Sequence, residues 1–349
     1  MELFKPDIFS TSSPNWIKTT SFLENHLGPV IRQIVPPSSL KECVIEHSGS
    51  IEINSSNFRL SFNDKKYILK KWSTHKDIKS VSNIEKIVLF LKDHEIPVPS
   101  AVPFLNNRMI LEWDNNLWTC STYISGDYYS GKNNQLKEAS VLTAKTANIL
   151  YQLPQEMLPK ESINPQIDHI EKIIKKTEEL RSNWEQFFGR EMASLLIVNW
   201  DKINQLCVSL NRPGIEKGKL FPNHYDMHPH NLLFDKSQPV SLLDFDSIVS
   251  IHVGYSIAYS ALKQCRQFVS QSNELNMATK AGKKYLNYLK DNLKMEDLKW
   301  LNNLRALAQI ETLRRISVIL QLNHEGNNLW NKVMPVLISH LYEAEELFD

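Results

Sequence analysis

One segment, residues 224–244, combines clustered polar side chains with two apolar runs: His224-Tyr-Asp-Met-His-Pro-His-Asn-Leu-Leu-Phe-Asp-Lys-Ser-Gln-Pro-Val-Ser-Leu-Leu-Asp244. Asp226 and Asn231 stand five positions apart in a polar loop. The apolar runs 232–234 and 240–243 follow, separated by five residues of turn composition. Strand formers on both sides of such a turn predict a β-hairpin.

The expected register of this hairpin brings polar groups together. Pairing Leu233 with Leu242 across a four-residue loop sets Asn231 opposite Asp244, with Asp226 a short loop away. An amide oxygen and a carboxylate then converge at a strand end. Hard oxygen ligands of this kind suit Mg²⁺, which also takes substrate phosphates as ligands. The segment therefore predicts a magnesium–nucleotide site, and the alternative is a polar loop before an ordinary buried hairpin.

The same residues resemble the catalytic and metal-binding segments of the aminoglycoside phosphotransferase family, which has a protein-kinase-like fold. The family pattern is His-x-Asp-x-His-Pro-x-Asn, followed by a hydrophobic strand and Asp-Phe-Asp or a close relative, here Asp244-Phe245-Asp246. The resemblance implies that Asp226 is the catalytic base and that Asn231 and Asp244 hold Mg²⁺. These roles fit phosphoryl transfer, which needs a carboxylate on the acceptor hydroxyl and metal charge on the phosphates.

A lysine and a glutamate in the first part of the chain match further family features. Strand alternation at 67–72 places Lys70 and Ile68 on one face, opposite Lys71. The resemblance implies that Lys70 contacts the α- and β-phosphates and that Glu85 reaches back to Lys70. Glu85 lies beside a helical stripe of apolar residues at 84, 87, 88 and 91. Two readings stay open: both residues are surface charges, or Lys71 takes the role of Lys70.

Two other nucleotide contacts follow from the resemblance. In the Thr122-Tyr-Ile124 phrase, which looks like the hinge between kinase lobes, the carbonyl of Thr122 and the amide of Ile124 would meet the adenine edge. The alternative is an edge strand ending in a glycine turn. Only Gly49 corresponds to the glycine-rich loop that covers the phosphates in many kinases. Ser256 stands where the family usually has an aspartate that braces the catalytic loop.

We expect an α+β protein with two lobes, an N-lobe at 1–124 built on a small antiparallel sheet and a mainly helical C-lobe at 125–349. The expected strands are 43–45, 51–53, 58–62, 67–72, 108–113 and 117–124, before the central hairpin. The expected helices are one from Ser13-Pro14 through Trp16 to Leu27, then 83–94, 139–153, 167–188, 192–210, 257–269, 277–290, 295–322 and 330–347.

Composition excludes several classes of protein. The 40 basic and 39 acidic residues give a net charge of +1, which favours neither nucleic acid nor an acidic membrane surface. The four cysteines, Cys43, Cys120, Cys207 and Cys265, are widely spaced and are expected to be reduced. With no signal peptide or apolar span evident, a cytoplasmic protein is expected, and the sequence does not define its oligomeric state.

The expected function is ATP-dependent phosphorylation, with GTP as an alternative donor, of a hydroxyl on a small molecule such as a sugar, aminoglycoside or amino alcohol. A protein kinase, a spore-coat-like structural relative and a nucleotide-binding switch are the alternatives. A protein kinase fits less well because little chain separates Asp244 from the helix near Gly254. A zinc site at His224, His228 and His230 is a further alternative.

Overall fold

The computed structural model describes residues 3–4, 16–18, 27–48, 56–132, 134–165, 167–210, 219–271 and 277–349. The predictions that concern Ser13-Pro14, Gly49 and the strand at 51–53 lie outside these residues. The α+β class is confirmed, since an antiparallel sheet dominates the first part of the chain and helices dominate the remainder.

A six-stranded antiparallel sheet has the strand order β1-β2-β3-β4-β6-β5. Its strands are β1 (Trp16–Lys18), β2 (Val44–Ser48), β3 (Ser56–Phe62), β4 (Lys65–Lys71), β5 (Ile110–Trp113) and β6 (Asn116–Thr122). Asn63 and Asp64 close the β3–β4 hairpin at φ of 49° and 57°, as a two-residue type I′ turn requires. Because β4 is paired on both edges, with Lys70 between Asn57 and Thr119, the position of Lys70 is fixed by the sheet.

The predicted helix through Trp16 is wrong for residues 16–18. Trp16 pairs with Ser48 on β2, and the Arg59 guanidinium carbon lies 5.1 Å from the centre of the Trp16 ring. A helical segment does occur at 27–31, where part of the same prediction fell. The free edge of β2 and the arginine–tryptophan contact outweigh a weak helical spacing, because local propensity is readily overridden by tertiary partners.

Helix α1 (Ile78–Asp93) packs the predicted apolar stripe against the sheet side of the molecule. The Asp77 carboxylate accepts a hydrogen bond from the Ser80 amide at 2.7 Å and so caps the first turn. Ile84, Ile87 and Leu91 are buried, as their spacing predicted.

Two small sheets follow the first lobe. One has the order β10-β9-β7, formed by β7 (Asp127–Tyr128), β9 (Leu232–Asp235) and β10 (Gln238–Leu242). The other pairs β8 (Leu220–His224) with β11 (Ile248–His252). The proposed lobe boundary at 124/125 falls between β6 and β7. Since β7 pairs with β9, the chain that leaves the first lobe is joined directly to the hairpin of the 224–244 segment.

The hairpin forms, but its predicted register is wrong by one residue. Leu242 pairs with Leu232 and not with Leu233, and the amide of Leu243 donates to the carbonyl of Asn231 at 2.8 Å. The loop contains two residues where four were predicted, and an irregularity near Val240 absorbs the difference. A bulge of this kind places one extra residue on one strand, so Asn231 lies opposite Leu243, one position before Asp244.

The second lobe is helical, as predicted. Its helices are α2 (Gln135–Tyr151), α3 (Ile167–Glu179), α4 (Trp184–Phe188), α5 (Arg190–Leu210), α6 (Val253–Ser270), α7 (Met277–Asn292), α8 (Leu304–His324) and α9 (Met334–Phe348). The predicted helix 167–188 is broken at 180–183, because the Trp184 indole donates to the Thr177 carbonyl at 2.7 Å and ends α3. Helices α6, α8 and α9 surround the main apolar core.

Among the helices that the structure describes, none is both long enough and apolar enough to cross a membrane.

Candidate active site

The loop after β8 is held by hydrogen bonds onto a single carbonyl. The amide of His228 and the side-chain amide of Asn231 both donate to the Asp226 carbonyl oxygen, each at 2.8 Å. The His230 amide donates to Nδ1 of His228 at 3.2 Å. These bonds set the spacing between Asp226 and Asn231, so the polar loop of the sequence is a defined turn in the structure.

His224 and Ser256 support this loop from below. His224 is 1% exposed, and its Nε2 donates to the Leu243 carbonyl at 2.8 Å. Burial lowers the pKa of His224, which keeps it neutral and suits a structural role in the loop. The Ser256 hydroxyl donates to the His224 carbonyl at 3.1 Å. The serine therefore donates a bond that an ionised aspartate at this position would not supply.

Asp244 follows β10 in the left-handed backbone conformation, with φ of 59° and ψ of 66°. A non-glycine residue held in this region has a higher backbone energy, and such residues concentrate at functional sites. The strained backbone turns Asp244 and Asp246 toward the first lobe, where both carboxylates contact the Lys70 ammonium. The distance from Lys70 Nζ to Asp244 Oδ1 is 3.2 Å, and Asp246 Oδ1 is also within hydrogen-bond distance.

Lys70 therefore joins the two lobes at the candidate site. Burial alone would lower the pKa of Lys70, but the charges of Asp244 and Asp246 outweigh burial and raise it. The ammonium also lies 4.7 Å from the centre of the Trp72 ring. A side chain charged at all physiological pH values thus bridges the strand of the first lobe and the hairpin of the second.

The expected ion pair between Lys70 and Glu85 is not formed among the described residues. Two aspartates attract the Lys70 ammonium more strongly than one glutamate, and Lys70 forms its ion pairs within the described residues with Asp244 and Asp246. Burial raises the pKa of Glu85 to about 7, against the opposing effect of the Lys70 charge, and Asp246 adds to the rise. The charges of Lys70 and Asp246 thus affect the pKa of Glu85, although Glu85 forms no ion pair with Lys70 among the described residues.

Asp226 contacts a different set of groups from those around Lys70. Its Oδ1 is 3.4 Å from Arg315 Nη2, and its Oδ2 is 3.6 Å from His228 Nε2. Burial alone would raise the pKa of Asp226, but His228, Arg315 and Lys263 outweigh it and lower the pKa to about 2. Burial also lowers the pKa of His228 to about 4, so Arg315 and Lys263 supply the permanent positive charge.

The guanidinium of Arg315 belongs to a buried network on α8 that the sequence interpretation missed. The Glu311 carboxylate accepts from Arg315 Nε at 2.8 Å and from Arg314 Nε at 2.9 Å. The Tyr225 hydroxyl, next to Asp226 in sequence, also bonds to Glu311. The Arg315 guanidinium carbon lies 4.1 Å from the centre of the Tyr259 ring. The only sequence signal was a charged triplet, at spacings of three and four, inside an otherwise buried helix.

The two residues predicted to contact the nucleotide base lie at the end of β6 and just beyond it. Thr122 ends β6, where its amide donates to the Ser100 carbonyl at 2.8 Å, and Ile124 follows it outside the strand.

Within the described residues, no group of three or more His, Cys, Asp or Glu side chains is arranged to hold a metal, so the three-histidine zinc alternative has no support.

The donor chemistry on the Lys70 side fits a hard divalent cation. Asp244 and Asp246 already share a positive group, which shows that their field favours a cation. The amide nitrogen of Asn231 is bonded to the Asp226 carbonyl, which leaves its amide oxygen as the available ligand. Carboxylate and amide oxygens are the ligands that Mg²⁺ prefers in proteins.

Comparison with solved structures places the chain among small-molecule kinases by fold. An amicoumacin kinase in complex with AMP-PNP, Ca²⁺ and amicoumacin superposes with a TM-score of 0.61 at 13% identity, covering 93% of this chain and 94% of that one. Spectinomycin phosphotransferase in complex with ADP and spectinomycin gives 0.60 at 13% identity, covering 87% and 92%. An ethanolamine kinase from Plasmodium vivax gives 0.54 at 12% identity, covering 93% and 88%.

Comparison with curated proteins gave no match. The family model described as the phosphotransferase enzyme family, APH, matches residues 50–275. This range includes Lys70, the Asp226 loop, the central hairpin and Asp244. With most of its length and all of these residues inside the match, the chain belongs to the phosphotransferase enzyme family.

Proposed function

We propose that this chain transfers the γ-phosphoryl group of a nucleoside triphosphate, ATP or alternatively GTP, to a hydroxyl of a small molecule. The observation that carries the proposal is the meeting of separate segments at one end of the central hairpin. Lys70 comes from the first lobe, Asp226 and Asn231 from the loop after β8, and Asp244 from the strand end after β10. The ADP in the spectinomycin phosphotransferase complex and the AMP-PNP in the amicoumacin kinase complex support this donor class.

The proposed roles follow from charge and position. Lys70 would move from the aspartates onto the α- and β-phosphates, with Glu85 nearby as the next acidic group. Asn231 and Asp244 would hold Mg²⁺, which when bound neutralises charge on phosphate oxygens. Thr122 and Ile124 remain the proposed backbone contacts to the base of the nucleotide.

Asp226 would orient the acceptor hydroxyl. With a pKa of about 2 it is ionised at neutral pH and accepts a hydrogen bond from that hydroxyl. It is a weak base, which suits a loose transition state in which positioning provides most of the rate. The carboxylate is supported on both sides by His228 and Arg315, so its orientation is fixed before the acceptor binds.

The decisive experiment is Asp226→Asn, measured as single-turnover consumption of γ-labelled ATP, alone and with pooled sugars, aminoglycosides, hydroxy acids and amino alcohols. Because Asp226 is not needed to bind the nucleotide, Mg·ATP affinity should stay within a few-fold of wild type. Transfer should fall by about 10²- to 10⁴-fold, the range for a positioned proton acceptor. The matched control is Asp235→Asn, an exposed aspartate at the hairpin turn, which should behave as wild type.

The same experiment separates the alternatives. A structural relative or a nucleotide-binding switch would bind Mg·ATP without consuming it, and Asp226→Asn would then change nothing. A protein kinase would need a docking segment after Asp246. Here β11 begins at Ile248 and α6 at Val253, so six residues separate Asp246 from the helix. A small-molecule acceptor is the better fit.

A further inference from the structure

Two adjacent arginines reach solvent beside the proposed base. The side chains of Arg314 and Arg315 are 20% and 23% exposed, whereas Glu311, which holds both, is fully buried. Arg314 uses Nε and Nη2 to bond Glu311, and Arg315 uses Nε to bond Glu311 and Nη2 to bond Asp226. Nη1 of each arginine has no partner among the described residues. Donor groups therefore remain available a few ångströms from Asp226.

The charge balance on this side of Asp226 is positive. Arg314, Arg315 and Lys263 supply three positive charges, against two negative charges on Asp226 and Glu311. Because the Glu311 carboxylate is buried beneath the guanidinium groups, a ligand approaching from solvent meets the positive groups first. A polycationic acceptor would be repelled here, whereas an anionic group would find unused, preoriented donors.

Several contacts preorient the Arg315 guanidinium. Glu311 bonds its Nε at 2.8 Å, and its guanidinium carbon lies 4.9 Å from the centre of the Tyr225 ring and 4.1 Å from that of Tyr259. Planar guanidinium groups held in this way match the paired oxygens of carboxylates and phosphates. The Arg315 side chain therefore loses its conformational entropy when the protein folds, and ligand binding does not have to order it.

We propose that the acceptor carries an anionic group, a carboxylate or a phosphate, which Arg315 binds with help from Arg314 while the hydroxyl lies on Asp226. This inference rests on the proposed function and narrows its substrate class from small alcohols in general to anionic alcohols. Arg315 is then the residue that determines acceptor charge, in addition to positioning Asp226.

The first test uses four acceptors with one carbon skeleton. Glycerate, glycerol 3-phosphate, glycerol and 3-aminopropane-1,2-diol differ in the charge of one terminal group, and matching pools of larger hydroxy acids, phosphate monoesters, polyols and amino alcohols extend the series. Transfer from γ-labelled ATP should favour the two anionic classes, and the better of them distinguishes carboxylate from phosphate. Preferred labelling of the neutral or cationic class would overturn the inference and leave the proposed function intact.

The second test measures the ratio of kcat/KM for an anionic acceptor to kcat/KM for its neutral counterpart. Any loss from poorer positioning of Asp226 applies to both acceptors and cancels in this ratio. In Arg315→Gln the ratio should fall by about ten- to a hundredfold, the effect of removing one charge-assisted hydrogen bond. The control is Arg305→Gln, ten residues earlier on α8 and so about 15 Å away along the helix. An equal ratio in wild type and Arg315→Gln would refute the assignment.

A third measurement does not depend on turnover. With Mg·AMP-PNP bound, acetate and inorganic phosphate should raise the thermal midpoint of wild type but not of Arg315→Gln. If anions bind in this way and no acceptor is ever labelled, the anion site stands and the proposed phosphotransferase function fails. If neither anion changes the midpoint of wild type, the anion site fails.

Discussion

Lys70→Met tests whether the ammonium of Lys70 occupies the place that a metal ion takes in the loaded site. The substitution keeps a long side chain on β4 but removes the charge that Asp244 and Asp246 share. Two neighbouring carboxylates would then face each other without a cation. We expect the variant to be less stable than wild type without metal and to recover stability when Mg²⁺ is added.

The magnitude follows from the contacts. A hydrogen bond to a charged group contributes about 1.5–3 kcal/mol, and Lys70 makes two. The side chains of Asp244 and Asp246 are 34% and 23% exposed, so solvent screens part of this energy. We expect the free energy of unfolding to fall by about 2 kcal/mol in EDTA. With a metal Kd of about 1 mM, 10 mM Mg²⁺ would restore about 1.4 kcal/mol.

The assay is urea unfolding in EDTA and in 10 mM Mg²⁺, with calorimetry of Mg·ATP binding in parallel. Lys70→Met should bind Mg·ATP more weakly than wild type, because the phosphates would lose the lysine proposed to bind them, although its stability should respond more strongly to Mg²⁺. Lys71→Met is the control, since Lys71 lies on the opposite face of β4 and has no ion pair among the described residues. A stability loss that is the same in EDTA and in Mg²⁺ would refute the reasoning.

Two further predictions concern the second lobe. Both ring nitrogens of His340 are buried without a hydrogen-bond partner among the described residues, and burial lowers its pKa well below the usual value. Below pH 6.5 the unfolded chain therefore gains a proton that the folded chain excludes. This histidine should lower the free energy of unfolding of wild type by up to about 1.4 kcal/mol per pH unit as the pH falls from 6 to 4.5. His340→Leu should lack this contribution when the free energy is measured by urea unfolding, and an equal pH dependence in wild type and variant would contradict the prediction. A Cβ on Gly282 would lie 1.8 Å from the Leu347 carbonyl oxygen, so Gly282→Ala should lower the free energy of unfolding by about 3 kcal/mol. Gly28→Ala, whose Cβ meets only an ordinary contact, should be near neutral in the same assay.

Much of the fold could be predicted because it depends on local periodicity. The apolar stripe of α1 needs only a spacing of three and four residues, and the Asn63-Asp64 turn needs only two residues that tolerate positive φ. The hairpin register was harder. Its turn residues allow a two-residue or a four-residue loop, and an irregularity near Val240 decides between them.

The candidate site likewise combines residues whose grouping follows from sequence spacing with residues that only the fold brings together. Asp226, Asn231 and Asp244 lie within one segment, so their grouping could be inferred from spacing. Arg315 is 89 residues from Asp226, and only the packing of α8 against the loop brings the two together. The Lys70–Glu85 contact was expected from a family pattern. In the folded chain the ammonium of Lys70 lies close to Asp244 and Asp246 and pairs with them instead. Such competition between partners is a property of the folded chain and not of residue spacing.

The double attachment of Arg315 has a consequence for how this enzyme could diversify. One nitrogen contacts Asp226, the proposed base, and another bonds Glu311, so a mutation of Arg315 that changes the accepted molecules would also disturb turnover. Lineages that acquire new acceptors would meet a fitness cost at this position. Lys263 on α6 is linked to Asp226 as well, because its charge helps to lower the pKa of that carboxyl group. A mutant library aimed at new acceptors should therefore keep Arg315 and Lys263 constant and vary residues that do not act on Asp226.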